Sequence, residues 1–150
     1  MNTIQYSNND LILHCDQIIS SYEKDNGRPD LIVGIIRGGL VPSVYISHRS
    51  SSPLLTVNVS FRDNDILDES SFVPVDRYIT EGKKVLFVDD LTDSGKTLEV
   101  ISTRYNGIAN VKTAVLLHNT GQTNCIPDYF GNIIDKTTDG RWIVFPWEVI

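Results

Sequence analysis

The sequence predicts an α/β fold, with a parallel-rich central sheet flanked by helices and formed by a single domain over residues 1–150. Two short apolar runs, at Leu31–Ile36 and 85–88, are typical of strands buried on both faces of a sheet. Segments with apolar residues at helical spacing alternate with such runs. A loop of small residues directly follows the second run, as in βα units that bind ligands at the carboxyl ends of strands.

The first half of the chain begins with an amphipathic helix over residues 10–24. Its apolar residues recur every three or four positions: Leu11, Ile12, Cys15, Ile18, Ile19 and Tyr22. Residues 7–9 offer N-terminal caps, and the sequence Asn-Gly-Arg-Pro at 26–29 ends this helix. Residues 40–48 predict a second helix, which tolerates a proline in its first turn, and residues 53–61 alternate like a half-buried strand.

The second half contains a polar, acidic segment at 62–78 that shows no clear period. Because it is long and lacks periodicity, we interpret it as a lid over a binding site, with a disordered connector as the alternative. The remaining predicted elements are a strand at 84–88, a helix at 95–105, a strand at 111–117, and two short strands at Tyr129–Ile134 and 142–145.

Composition and charge exclude several classes of function. Hydrophobic residues make up 41% of the chain and charged residues 21%, which is ordinary for a globular protein. The net charge of -6 argues against a nucleic-acid surface, and no apolar run is long enough to span a membrane. The polar start shows no signal peptide, so we expect a cytoplasmic protein. Cys15 and Cys125 are expected to be reduced structural thiols, without a Cys/His zinc cluster.

The most informative segment is residues 85–97, which reads VLFVDDLTDSGKT. Asp89 and Asp90 follow the apolar run, and the small-residue loop at 93–97 opens a helical pattern. Unpaired N–H groups and the helix dipole favour a phosphate at such a loop. Adjacent carboxylates suit Mg²⁺ or sugar hydroxyls, so the segment indicates a site for a phosphorylated sugar.

Two other interpretations of this segment are weaker. A P-loop requires glycine five residues before Gly95, where this chain has Asp90. An acidic βα turn with a Ser or Thr cap requires neither the paired acids nor the sequence Ser-Gly-Lys-Thr. A second loop, Arg37-Gly38-Gly39, follows the strand Leu31–Ile36 and allows a ligand to approach its backbone, although a plain tight turn also fits.

Residues 85–97 resemble the phosphoribosyl-pyrophosphate (PRPP) motif of type I phosphoribosyltransferases, where an apolar strand leads into two acids and an Asp-Thr/Ser-Gly-x-Thr loop. The resemblance implies that the ribose hydroxyls and Mg²⁺ bind Asp89 and Asp90. It implies that Asp93 is also a general base close to purine N7. The residues it implies for the 5′-phosphate are Asp93, Ser94, Gly95, Lys96 and Thr97.

Two further segments carry the same resemblance. Arg37, Gly38 and Gly39, followed by Leu-Val-Pro, are similar to the family's pyrophosphate loop, which implies a non-proline cis peptide near Arg37-Gly38. The segment at about 140–150 resembles that of short bacterial xanthine–guanine enzymes. There the resemblance implies that Trp142 stacks on the base, Ile143 contributes backbone groups, and Glu148 holds the segment or touches the base edge. From residue types alone, core packing is the better explanation of this tryptophan-rich segment.

The chain departs from the family at His118, because purine members usually place a lysine there to donate to the 6-oxo group. His118 or Asn119 is expected to donate instead, unless His118 is a strand-end residue satisfied by solvent.

The function implied is Mg²⁺-dependent transfer of phosphoribose from PRPP to hypoxanthine, guanine or xanthine. The alternatives are a PRPP-sensing regulator or binding protein, and a transferase for another base. The resemblance implies a homodimer or homotetramer, with Tyr45 and Ile46 available for the interface.

Overall fold

The computed structural model describes residues 2–61, 65–122 and 124–149. This part of the chain contains, in order, β1 (Thr3–Gln5), α1 (Asn8–Asn26), β2 (Leu31–Ile36), α2 (Leu40–Ser50), β3 (Leu54–Ser60), β4 (Ile66–Leu67), a short 3-10 helix (Glu69–Phe72), α3 (Val73–Thr80), β5 (Val85–Thr92), α4 (Lys96–Arg104), β6 (Val111–Asn119), β7 (Tyr129–Ile134) and β8 (Trp142–Val144).

Six strands form the central sheet, in the order β4-β3-β2-β5-β6-β7. All neighbouring pairs are parallel except β3 and β4. The predicted α/β fold with a parallel-rich sheet is therefore confirmed. β1 and β8 form a separate parallel pair, which joins the start of the chain to its C-terminal segment.

The sheet separates two hydrophobic cores. Side chains of successive strand residues point to opposite faces, so Ile32 and Leu86 pack in the core that includes α1, whereas Val33 and Phe87 pack in the core that includes α3 and α4. All four of these side chains are fully buried. Burial on both faces explains why the central strands appear in the sequence as continuous apolar runs.

The strand order reverses between β2 and β5. From β2 the chain passes through α2 to β3 on one side, and from β5 it passes through α4 to β6 on the other. Ile46 of α2 and Leu98 of α4 belong to the cores on opposite faces of the sheet. The two loops after β2 and β5 therefore diverge, which leaves a crevice at the carboxyl ends of these strands.

Local signals account well for the first helix. Ser7 is its N-cap: the Ser7 hydroxyl accepts from the Asp10 N–H and the Asp10 carboxylate accepts from the Ser7 N–H, both at 3.0 Å. This reciprocal pair is a capping box. β5 differs from the prediction, because it continues beyond Val88 to Thr92 and carries both acids within the strand.

The segment at 62–78 also differs from its sequence interpretation. Its second half is not aperiodic, because residues 69–78 lie in the 3-10 helix and α3. Phe72 and Val75 are fully buried in the core below α4, and Ile79 extends the same apolar face. Charged residues between these positions hide their helical spacing. Residues 62–64 lie outside the described residues, and the lid stays a prediction.

The interface prediction on α2 is wrong for Ile46, which is completely buried against the sheet. Tyr45 donates a hydrogen bond to Asp16 of α1 at 3.2 Å. The exposed apolar residues of α2 are instead Leu40, Val41 and Val44. Within the described residues, none of the helices combines the length and apolar character needed to cross a membrane.

Candidate active site

A cleft of about 720 Å³ opens at the carboxyl ends of β2, β3 and β5. This volume suits a small-molecule ligand. Three groups predicted separately from the sequence meet in its lining: the loop after β2, the acids of β5, and the loop that leads into α4. Its lining includes the predicted residues Arg37, Gly38, Asp89, Asp90, Asp93, Ser94, Gly95, Lys96, Thr97 and Glu148.

The loop at 93–97 forms the N-terminal entry of α4. Gly95 is the N-cap and has a φ of 84°, in the left-handed region that favours glycine. A side chain there would also meet the Gln122 amide oxygen, 2.7 Å from an ideal Cβ. The N-cap residue provides no capping side chain, the Lys96 N–H has only a long contact of 3.4 Å to the Ser94 hydroxyl, and the first residues of α4 line the cleft. Such a helix start is the arrangement that binds a phosphate.

Two amide side chains, one at the end of β6 and one after it, hold this loop in place. Asn119 donates to the Asp93 carbonyl at 3.0 Å, and Asn124 donates to the Ser94 carbonyl at 2.8 Å. Asn119 is also buried, and its amide oxygen accepts from the backbone of Gly121 and Lys136. The sequence interpretation gave Asn119 a role at the base and did not find Asn124. The available signal was a run of amide residues after the strand next to β5.

Asp89 and Asp90 lie side by side at the end of β5. The Asp89 carboxylate accepts from the Asp90 N–H at 2.8 Å, and Asp90 is only 4% exposed. Gly38 packs against Asp90 so closely that an ideal Cβ would lie 2.5 Å from the carboxyl carbon. The loop after β2 and the acid pair thus form one surface.

The donor set fits Mg²⁺. In the described part of the chain, no group of three or more His, Cys, Asp or Glu residues forms a complete metal site. Mg²⁺ keeps several waters and commonly binds one or two carboxylates together with substrate phosphates. Asp89 and Asp90, facing a cleft with a phosphate-type loop, provide that partial set of oxygen ligands.

The loop after β2 has an exposed Arg37 at its start. The cis peptide lies between Ile36 and Arg37, one bond before the position that the sequence implied. Gly39 is buried, and its N–H donates to the Ile35 carbonyl at 2.9 Å. An ideal Cβ on Gly39 would overlap the Val88 carbonyl of the neighbouring strand, so close packing requires glycine here.

The aromatic residues of the C-terminal segment lie in different environments. Phe145 is buried in the core, and Trp147 stacks on it at 4.9 Å between ring centroids and lines the cleft. The Glu148 carboxylate accepts from the Phe145 N–H at 3.2 Å and so holds this turn. Trp142 is 37% exposed and Ile143 is buried. Neither Trp142 nor Ile143 is among the described residues that line the cleft.

His118 is also separate from the described lining of the cleft. It is 5% exposed, its Nδ1 lies 2.6 Å from the Thr92 hydroxyl, and its ring packs on Phe130. Burial lowers the pKa of His118, which favours the neutral ring. The structure therefore gives His118 an internal packing role between β5, β6 and β7.

Lys136, which sequence reasoning missed, connects Asp93 to Trp142. Its Nζ lies 3.3 Å from Asp93 Oδ1 and 5.2 Å from the centre of the Trp142 ring. Lys136 follows β7, which neighbours β6, so its chain position at the carboxyl edge of the sheet was the available signal.

Comparisons with known proteins agree with this geometry. The family model for the phosphoribosyl transferase domain matches residues 4–149. A xanthine-guanine phosphoribosyltransferase from Cereibacter sphaeroides is 31% identical over 128 residues, covering 83% of this chain and 72% of that protein. A second from Roseobacter denitrificans is 25% identical over 154 residues, covering 91% and 81%.

Solved structures extend the similarity to the fold. The purine phosphoribosyltransferase from Pyrococcus horikoshii Ot3 superposes with a TM-score of 0.74 at 26% identity, covering 100% of this chain and 96% of that one. The xanthine-guanine-hypoxanthine phosphoribosyltransferase of Helicobacter pylori has a TM-score of 0.67 at 20% identity, covering 97% and 92%. Because the family model spans nearly all of the sequence, the chain belongs to the phosphoribosyl transferase domain family.

Proposed function

We propose that this protein is a purine phosphoribosyltransferase, which transfers the 5-phosphoribosyl group of PRPP to a 6-oxopurine and releases pyrophosphate. One observation carries the proposal: a single cleft brings together the loop at 93–97, the carboxylates of Asp89 and Asp90, and the loop that starts at Arg37. The similarity to purine phosphoribosyltransferases supports hypoxanthine, guanine or xanthine as the acceptor.

The 5′-phosphate binds at the start of α4 in this proposal. The N–H groups of the loop donate to it, together with the hydroxyls of Ser94 and Thr97. Lys96 lines the same part of the cleft and adds a positive charge. Arg37 and the backbone of Gly38 bind the pyrophosphate group at the other side of the acid pair.

Asp89 and Asp90 hold the ribose hydroxyls and Mg²⁺. When bound, Mg²⁺ supplies Lewis-acid stabilisation of the leaving pyrophosphate. The two carboxylates also stabilise the positive charge that develops on the ribose as its bond to pyrophosphate breaks. Their fixed position in β5 keeps this charge stabilisation in place before the reaction begins.

Asp93 is the proposed general base, and it accepts the proton of purine N7 as the new glycosidic bond forms. A positioned acid or base of this kind contributes roughly 10²–10⁴-fold to a rate. The hydrogen bond from Asn119 fixes the backbone that carries Asp93. Trp142 provides the aromatic surface for the base, and Glu148 holds the turn that follows it.

A homodimer or homotetramer is also part of the proposal. Exposed apolar side chains on the neighbouring helices α1 and α2 support it, because a second copy could bury them: Ile12, Leu13, Leu40, Val41 and Val44. Sedimentation velocity measures the assembly directly. Charged substitutions at Leu13 and Val44 are expected to shift it towards the monomer, whereas a monomeric wild type contradicts this part of the proposal.

The test of the activity is pyrophosphate release from PRPP and Mg²⁺, measured separately with hypoxanthine, guanine, xanthine, adenine and no base. We expect release with at least one 6-oxopurine, loss of release on chelation of Mg²⁺, and a decrease of roughly 10²–10⁴-fold in Asp93→Asn. Glu81→Gln, an exposed acid at the end of α3, is the control. Calorimetric binding of PRPP without release with any base would instead indicate a PRPP-binding or PRPP-sensing protein.

A further inference from the structure

We infer that Lys136 recognises the 6-oxo group of the purine and thereby selects 6-oxopurines over 6-aminopurines; this inference rests on the proposed function. The family's usual lysine position is occupied by His118, at the end of β6. Lys136 instead comes from the turn after β7, and its ammonium reaches the same region from a different strand.

The position of Lys136 is set by its surroundings. Its backbone N–H donates to the buried Asn119 amide at 3.1 Å, and its side chain is only 18% exposed. The following turn is fixed by Asp135, whose carboxylate accepts from the Thr137 N–H at 2.9 Å. The backbone around Lys136 is therefore anchored by Asn119 and Asp135, and the largely buried lysine side chain places its ammonium beside Asp93.

The purine edge has the complementary arrangement. N7 and O6 of a 6-oxopurine are neighbours on one edge of the base: N7 carries the proton that Asp93 is proposed to accept, and O6 is an acceptor. With N7 at Asp93, the 6-oxo oxygen lies next to that carboxylate, where the Lys136 ammonium stands 3.3 Å away. An ammonium has three donors and no acceptor, so it bonds an oxo group but cannot accept from the amino group of adenine.

Trp142 is the residue proposed to set the plane of the base. The Lys136 ammonium lies 5.2 Å from the centre of the Trp142 ring. In the proposed pose the purine stacks on Trp142 with N7 directed at Asp93, and its oxygen-bearing edge lies beside the Lys136 ammonium. Asn119 and His118 are weaker candidates for this role because both side chains have other hydrogen-bond partners. Asn119 donates to the Asp93 carbonyl, and His118 is hydrogen-bonded to the Thr92 hydroxyl.

The alternative is that Lys136 only balances the charge of Asp93. A charge-balancing role affects ligands with and without a 6-oxo group alike, whereas recognition of the oxygen changes the preference between them. Calorimetric binding of IMP, AMP and PRPP to the full-length protein, in Lys136→Gln and Lys136→Arg, separates these roles. Lys83→Gln is the matched control, because Lys83 is exposed at the opposite end of the sheet, before β5.

We expect Lys136→Gln to weaken IMP binding by about 10- to 100-fold, the range for a lost hydrogen bond from a charged donor. AMP binding is expected to stay unchanged or improve, PRPP binding to stay unchanged, and Lys136→Arg to recover part of the IMP affinity. Equal losses for IMP and AMP, or no loss of IMP binding, overturn the inference alone. A wild-type protein that binds neither nucleotide contradicts the proposed function as well. Thermal midpoints equal to that of the Lys83→Gln control exclude misfolding as the cause.

Discussion

The side chain of Asn119 donates a hydrogen bond to the backbone carbonyl of Asp93 at 3.0 Å, joining the end of β6 to the loop after β5. The same amide accepts from the Lys136 N–H at 3.1 Å. One buried side chain thus sets the relative position of the loop proposed to bind the 5′-phosphate and of the lysine proposed to bind the base. We therefore expect replacement of Asn119 to weaken ligand binding, although its side chain is occupied by backbone contacts.

Replacing this residue tests that arrangement. Asn119→Ala leaves part-buried backbone groups at 93, 121 and 136 without their side-chain partner, so we expect a loss of about 1–3 kcal/mol in the free energy of unfolding. We also expect a higher KM for PRPP, because the loop at 93–97 is no longer held. Urea denaturation and steady-state kinetics measure the two effects. Asn106→Ala, at an exposed turn after α4, should change neither, and equal values for both variants would refute the role of Asn119.

Gly38 provides a test of the contact between the two loops of the cleft. An alanine Cβ at this position would lie 2.5 Å from the Asp90 carboxyl carbon, and the buried Asp90 has little room to move. We expect Gly38→Ala to displace that carboxylate and lower kcat/KM for PRPP by at least about tenfold, or about 1.4 kcal/mol.

The control for Gly38 is Gly107→Ala, far along the chain in the turn after α4. Its Cβ would meet nothing within 4 Å, and only its φ of +78° disfavours alanine. This control is therefore expected to lose roughly 1–2 kcal/mol of stability while keeping its turnover. A fully active Gly38→Ala protein would show that the loop and the acid pair move independently.

The stacking role proposed for Trp142 predicts a change in base binding alone. Stacking of a base on an aromatic side chain is worth roughly 1–3 kcal/mol, so Trp142→Ala is expected to raise the KM of the purine about 5- to 150-fold. The KM of PRPP should stay close to the wild-type value, because Trp142 lies outside the described lining of the phosphate cleft. Trp142→Phe should recover part of the loss, whereas equal effects on both substrates would argue for a structural role.

Buried histidines predict a loss of stability in mild acid. Burial lowers the pKa of His14, against the opposing effect of Asp10, and burial also lowers the pKa of His118. In the unfolded chain each imidazole takes up a proton near the usual pKa of about 6.5. The unfolded state consequently binds more protons below that pH, so the stability present above pH 6.5 decreases as the pH falls.

Urea denaturation at pH 7.5 and 5.5 measures this dependence. His14→Gln should be less stable than wild type at pH 7.5, because the Nδ1 of His14 lies 2.6 Å from the Tyr6 hydroxyl, but its stability should change less between the two pH values. His48→Gln, an exposed position on α2, should keep the wild-type dependence. A His14→Gln protein with an unchanged slope would assign the pH effect to other groups.

The sequence by itself determined most of the helices and strands and the phosphate-type loop. Continuous apolar residues in Leu31–Ile36 predict a strand buried on both faces. The small residues at 93–97 predict the start of the helix that follows them. Such features depend on neighbouring residues and can therefore be read from spacing alone. α3 escaped this reasoning, since its buried residues are few and charged residues separate them.

The tertiary structure alone decided which distant side chains meet at the cleft. Lys136 reaches Asp93, Trp147 enters the lining, and Ile46 turns inward because of strand order and helix packing, which local spacing does not encode. The switch in strand order between β2 and β5 opens the crevice, and the β6–β7 pairing brings Lys136 to its edge. The sequence thus predicts a loop for a phosphate, whereas the packing of strands decides which residues lie beside that loop.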